Sequence, residues 1–422
     1  MSLIDFLPII IVISGLYFLV KLRFFFILHP IKTVKKTINA LSDGSSRRAL
    51  ALALGGTLGV GNIVGIAYGI MKSGGGCIFW VLVSSLFSSV IKYAESSISA
   101  DCRENGRGGM MYVIKAAFGK SGRLLSLIYA VLCFLLSLTM GAALQAKSAV
   151  SFADYSLSLN PYAFSLFFSI IVLLSIIKGT KKIEKITSYI VPVATIIYIL
   201  LCFIVIFRNF SHLIEALNSI LSSAFKIESA GYGILFFLSS KSMKEGFARG
   251  LLSNEAGAGT SAMAEIRSNA KEASEVGVLG ACEVFFDTTL LCTLTGLSIV
   301  ISGVPVESIP SAAALIISSF SSVLGEVSKI LLFFLICAFS YSTVICWYYY
   351  GFECRRYLFD NRFSRVYLAF FTAFVFIGFI LKESVLIVVS DYLLFFMTVI
   401  TVLTLIKKSE RIVTLSENLK EF

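Results

Sequence analysis

Apolar residues in this chain run in long blocks separated by short charged stretches, and they do not alternate with polar ones. A helix needs about 20 such residues to cross a bilayer. Eleven blocks can be delimited on that basis: 6–28, 49–71, 76–100, 124–150, 161–178, 186–207, 229–246, 275–303, 328–352, 364–381 and 384–406. The block 124–150 is longer than the hydrocarbon core requires, so it is expected to tilt or to extend beyond the lipid. The first block is followed by KLRFFFILHPIKTVKK, without a small-residue cleavage site, and reads as a retained span. The pattern predicts an all-α polytopic membrane protein with eleven transmembrane helices.

Charge refines this into a topology. Lys and Arg concentrate in the segments 29–48, 101–123, 178–185, 247–274, 353–365 and the tail from 407, whereas the opposite loops hold only Lys72, Lys147, Arg208, Lys226, Lys329 and Lys382. The positive-inside rule then places the N-terminus outside and the C-terminus in the cytoplasm of a prokaryotic cell membrane. The net charge of +11 follows from this distribution and gives no argument for nucleic-acid binding. Composition adds exclusions. At 57% hydrophobic and 14% charged residues, the chain has too much apolar surface for a soluble protein. The nine cysteines form no CxxC pair and read as small core residues, and the two histidines, His29 and His212, are too far apart in sequence to suggest a metal site. The loops are too short to carry an enzyme's catalytic machinery, so none is expected, and no obligatory protein partner is implied.

Glycine breaks the pattern inside the lipid. The second block contains GGTLGVGNIVG, Gly55 to Gly65, although each glycine weakens a helix by about 1 kcal/mol relative to alanine. Leaving the first block aside, the remaining ten divide into two fives, 49–207 and 208–406, with residues 1–48 an extra N-terminal helix and loop and 407–422 a tail. The first span of the second five carries another glycine pair, AGYG, Ala230 to Gly233. Five is odd, so the two halves run with opposite topology. Matched interruptions in inverted repeats mark a transport site near the midplane, where freed carbonyls coordinate a cation and half-helix N-termini face a carboxylate. Close packing of small residues is the competing reading, since Gly55/Gly59 and Gly61/Gly65 also have GxxxG spacing. A nucleotide-binding loop is excluded, because no strand precedes the glycines and no Lys-Ser/Thr follows.

Six ordered segments carry a resemblance. They are GGTLGVGNIVG (Gly55–Gly65), SGGGCIFWVLVSSLFSSVIKYAE (Ser73–Glu95), GGMMYVI (Gly108–Ile114), ARGLLSNEAGAGTSAMA (Ala248–Ala264), VFFDTTLLCTLTGLSIVISG (Val284–Gly303) and AFSYSTVICWYYYGFE (Ala338–Glu353). Together they resemble the alanine/glycine:cation symporter family, also called sodium:alanine symporters, over about residues 49 to 355. The resemblance implies a 5+5 inverted-repeat fold of the leucine-transporter type, with the N-terminal helix as an addition. It implies sodium-coupled uptake of small neutral amino acids, alanine or glycine first, by alternating access, with sodium as coupling ion and no other cofactor. A proton in place of sodium, and glutamine or D-alanine as cargo, stay open. A passive pore would need a continuous polar path, whereas the polar groups cluster at the breaks. The chain departs from the family pattern at Val60, Val81-Leu82, Met110, Tyr232 and Leu252. Of these, Val60 takes a hydroxyl out of the expected pocket.

The candidate residues follow. Thr57, Gly59, Gly61, Asn62, Gln145, Tyr232, Gly233, Thr343 and Trp347 are expected around the amino acid. Gly55, Gly56, Leu58, Phe339, Ser342 and Thr343 are expected around sodium. Thr57 has the alternative of bonding back to its own helix, and Trp347 that of an interfacial anchor. Asp287 lies near mid-depth of its span and is read either as a cation or proton site or as part of a structural network. Lys92 and Glu95, spaced i, i+3, read as a gate or surface ion pair. Arg249, Asn254 and Glu255 fall in the expected cytoplasmic loop 247–274, as a gate or a helix N-cap.

Overall fold

The computed structural model describes residues 3–25, 43–104, 106–226, 240–270, 272–360 and 362–417. These segments are helical almost throughout. A lipid-embedded chain must satisfy its backbone polar groups within itself, and helices do so segment by segment. In chain order the helices are α1 (Leu7–Lys21), α2 (Gly44–Thr57), α3 (Val64–Ser73), α4 (Gly76–Asp101), α5 (Met110–Leu157), α6 (Pro161–Ile176), α7 (Thr180–Arg208) and α8 (Leu213–Ala224). They continue as α9 (Lys241–Asn254), α10 (Ala262–Glu265), α11 (Ala273–Ile301), α12 (Ala312–Leu324), α13 (Val327–Phe359), α14 (Ser364–Ile377), α15 (Glu383–Lys407) and α16 (Ser409–Glu417).

Among the described residues, seven helices are long and apolar enough to span a membrane, and α2 with α3 forms an eighth span bent by 60°. The shorter α6 and α14 stand where the fifth and tenth blocks were expected. The seventh block, 229–246, does not appear as drawn. Residues 227–239 lie outside the described set, and α9 runs eight residues past the expected end, to Asn254. Hydropathy stops short there because Arg249 interrupts the apolar run, yet Arg249 is buried and ion-paired to Asp391 of α15 at 2.5 Å. Helices also fall where loops were expected, at α8, α10 and α12.

The core is organised around α4, which packs along α1, α9 and α11. A second group forms where α13 lies against α2, α5 and α7. The first group is joined by helix-to-helix contacts too close for a side chain. A Cβ at Gly246 would stand 2.4 Å from Trp80 Cβ, and one at Gly277 2.6 Å from the Tyr93 ring. Two long helices change pitch part-way along. Residues Ser137–Leu144 of α5 and Phe285–Cys292 of α11 are wound as π-helix. Such windings put extra residues into a turn and re-aim the side chains around them, often at functional sites. Gln145 follows the first and Asp287 sits inside the second.

Candidate functional site

The first interruption falls where the glycines predicted it. Helix α2 ends at Thr57, the chain passes through Leu58 and Gly59, makes one 3₁₀ turn over Val60–Asn62, and restarts as α3 at Val64. Its freed backbone groups find partners on two other helices. The Val60 N–H donates to Gln145 Oε1 of α5 at 3.0 Å. The Gly55 carbonyl accepts from Thr343 Oγ1 at 2.9 Å, and the Gly56 carbonyl from Trp347 Nε1 at 3.2 Å, both on α13.

The glycines divide into two kinds. Gly55 and Gly56 let α2 lie flat on α13, since a Cβ would meet Cys346 Sγ at 2.8 Å or Tyr350 Oη at 2.7 Å. Gly59 instead faces the polar centre, with a virtual Cβ 2.6 Å from Thr343 Oγ1 and 2.9 Å from Gln145 Oε1. Close packing thus accounts for Gly55 and Gly56, while Gly59 lies against polar side chains.

A second interruption, Glu255–Ser261, separates α9 from the four-residue α10; it is not the break expected at Ala230–Gly233, which falls outside the described residues. Glu255 adopts a left-handed conformation at φ 54°, and Gly257 and Gly259 follow at φ 85° and 73°, where a Cβ would be strained. Here too the loose groups are held. Lys92 Nζ donates to the Asn254 carbonyl at 2.6 Å, the Ala258 carbonyl accepts from Tyr129 Oη at 2.5 Å, and the Ala256 N–H donates to Asn254 Oδ1 at 2.9 Å. The Glu95 carboxyl is buried beside this stretch with neither oxygen hydrogen-bonded. A cation on the last carbonyls of a helix is the pairing that the helix dipole favours.

This corrects two expectations. Lys92 and Glu95 are not a surface pair, because both are fully buried on α4, from which Lys92 serves the second interruption. Lys92 pairs instead with Glu283 of α11 at 3.7 Å. Arg249, Asn254 and Glu255 are likewise not in a solvent loop. Asn254 ends α9 and Glu255 follows as its C-cap, so the N-cap reading is reversed.

The two interruptions are tied together through Asp287, which is fully buried. Its carboxylate accepts from Asn62 Nδ2 in the first, from Ser253 Oγ at 2.8 Å beside the second, and from Thr288 Oγ1 at 2.9 Å. Asn254 Nδ2 in turn donates to Thr288 Oγ1 at 3.0 Å. Because the Asn62 amide nitrogen is committed to a carboxylate, its Oδ1 faces the other way, buried and without a hydrogen-bond partner. A buried acceptor left open in this manner costs on the order of 1–3 kcal/mol unless something donates to it.

Other expected residues are less directly engaged. Thr57 Oγ1 bonds back to Ala53 O at 3.3 Å, and Ser342 Oγ to Phe339 O at 2.9 Å. Leu58 and Phe339 are buried beside the break and on α13. Trp347 is fully buried with its helix continuing to Phe359, so it does not sit at the interface. Tyr232 and Gly233 lie outside the described residues. The segment missed in the sequence, Glu255–Ser261, does carry a signal: EAGAGTS places two glycines two apart among small residues, as GVGN does in the first.

The break between α2 and α3 is thus joined to the end of α9 through buried polar groups. The family model described as "Sodium:alanine symporter family" matches residues 1–421. The chain belongs to the sodium:alanine symporter family. It is a membrane transporter of amino-acid carrier type and not an enzyme. It is 32% identical over 349 residues to the sodium/alanine symporter AgcS of Methanococcus maripaludis, covering 80% of this chain and 75% of that one. It is 29% identical to the probable sodium/glutamine symporter GlnT of Bacillus subtilis, covering 80% and 71%. Among solved structures, MhsT in complex with L-phenylalanine shares the fold at a TM-score of 0.62 and 14% identity, covering 84% of this transporter and 87% of that chain.

Proposed function

We propose that this transporter couples the inward movement of sodium to uptake of a small neutral amino acid, alanine or glycine first, by alternating access. The observation that carries the reading is the glycine-rich break between α2 and α3, tied through Asn62 and Asp287 to Ser253 of α9. Family membership supports sodium as the coupling ion. The oxygens around the first interruption suit it chemically. The carbonyls of Gly55, Gly56, Leu58 and Phe339 and the hydroxyls of Ser342 and Thr343 are neutral hard donors, able to replace a sodium hydration shell. In this reading Asn62 Oδ1 receives the ammonium group of the amino acid, and the free N–H groups at the start of α3 receive its carboxylate. Gln145, Thr343 and Trp347 bound the pocket, with Tyr232 and Gly233 assigned to it as well. Residues 49–207 and 208–406 act as inverted halves, with the N-terminus outside and the C-terminus in the cytoplasm.

Sodium binding would hold the outward-open form, and amino-acid binding would release the rocking step. Only differential affinity for the two forms shifts such an equilibrium. Radiolabelled alanine uptake into proteoliposomes tests this. Accumulation against a gradient is expected only with inward sodium. Equilibration without accumulation would mean a passive pore, and accumulation driven by a pH gradient alone would mean protons. Competition by unlabelled glutamine would reassign the cargo, since GlnT is a relative.

A further inference from the structure

A groove of about 1090 Å³ lies between α2 and α7, with Leu58 of the first interruption at its inner end. Its long wall is apolar, including Leu54 of α2, Ile196 and Ile199 of α7 and Phe286 of α11. Tyr189 and Ile196, which line it from the apolar outer stripe of α7, are 68% and 59% exposed. One end is strongly cationic. Arg47 and Arg48 from the first turns of α2, Lys181 and Lys185 from the start of α7, and Arg267 face the groove against a single carboxylate, Glu184, which Arg267 already engages. The N-terminal amides of α2 are taken by Asp43, whose carboxylate accepts from Ser45 and Ser46. The attraction for an anion therefore rests on the four remaining cations.

An apolar trough open to the hydrocarbon, with cations at one end only, selects an amphiphile whose head is anionic and whose tails are long. We propose that this groove is a binding site for an anionic phospholipid, its phosphate on Arg47, Arg48 and Lys185 and its acyl chains along α7. Charge complementarity favours this occupant over a zwitterionic lipid, because each Lys or Arg near an anionic headgroup contributes about 1 kcal/mol. The groove wall reaches Leu58 at the first interruption, so the bound lipid braces the half-helix α2 that ends in the transport site.

Native mass spectrometry of the full chain in detergent tests the proposal, with phosphatidylglycerol and phosphatidylcholine of identical acyl chains as probes. Phosphatidylglycerol should be retained at least tenfold better. Arg47→Ala with Arg48→Ala and Lys185→Ala should lower its retention at least tenfold, since each lost cation accounts for about a fivefold loss. The charge-conserving set Arg47→Lys, Arg48→Lys and Lys185→Arg should keep it, separating loss of charge from loss of fold. Ile196→Trp, which fills the trough from its lipid-facing side, should also abolish retention in a monodisperse protein. Equal retention of the two lipids, unchanged retention in the alanine variant, or displacement of phosphatidylglycerol by millimolar inorganic phosphate would each overturn the proposal.

Discussion

Lys92 and Asn254 meet at 2.6 Å across two helices, the ammonium of one on the last main-chain oxygen of the other's helix. The contact is buried, and the same ammonium lies 3.7 Å from Glu283. Removing the cation leaves a carboxylate and a helix-terminal carbonyl in a dry interior. Loss of one partner of such a pair costs about 3–5 kcal/mol. Lys92→Met should therefore lower the unfolding midpoint of the purified protein markedly and abolish uptake. A variant with wild-type thermal stability would show that the second interruption does not depend on this lysine.

Gly59 is predicted to be intolerant of a single methyl group. A Cβ there would stand 2.6 Å from Thr343 Oγ1 and 2.9 Å from Gln145 Oε1, and it would displace the two side chains that hold the neighbouring backbone. Gly59→Ala should reduce alanine uptake at least tenfold, roughly the 1.4 kcal/mol or more that a misplaced pocket group contributes. Gly65→Ala is the matched control, because its Cβ would meet only Leu252 Cδ2 at an ordinary 3.5 Å. Equal uptake by the two variants would remove Gly59 from the site.

The difference between the two interruptions explains what the sequence did and did not reveal. The first was legible because its glycines stand inside an unbroken apolar block, where only function or close packing accounts for them. The second was hidden by its own supports. Arg249, Glu255 and Glu265 made residues 247–274 look like a charged loop, yet all three are buried, Arg249 against Asp391 of α15 and Glu255 against Thr260 of the same turn. Hydropathy sums a segment by itself and cannot see that Lys92, 162 residues earlier, neutralises it. The same blindness moved Lys92 and Glu95 to the surface. The short helix α12 escaped for a simpler reason: at 13 residues it is below the length that marks a span.

Asn62 and Asp287 should be energetically coupled. The amide nitrogen of Asn62 donates to both the carboxylate and the main-chain oxygen of Asp287, joining the first interruption to α11. Residues sharing one buried network show interaction energies of about 0.5–3 kcal/mol in double-mutant cycles. Asn62→Ala and Asp287→Ala, alone and together, should be non-additive by that amount in chemical denaturation of the detergent-solubilised protein. Strict additivity would mean that the contact contributes nothing to holding the two segments together.

Thr343 provides the most direct test of the sodium assignment. Its hydroxyl donates to the Gly55 carbonyl at 2.9 Å, so it stands among the oxygens of the first interruption. Thr343→Val keeps the β-branched shape and removes only the oxygen, which separates ligation from packing. If the hydroxyl ligates the ion, the sodium concentration for half-maximal uptake should rise about tenfold, the change that a lost interaction of some 1.4 kcal/mol produces. Maximal uptake at saturating sodium should be nearly preserved, because occupancy is restored by mass action. The alternative role, a hydrogen bond that merely fixes α2 against α13, predicts a different outcome. Stability would fall by about 0.5–1.5 kcal/mol, and maximal uptake would fall at every sodium concentration with its midpoint unchanged. Sodium-titrated uptake in proteoliposomes, with a thermal melt of the same preparation, separates the two.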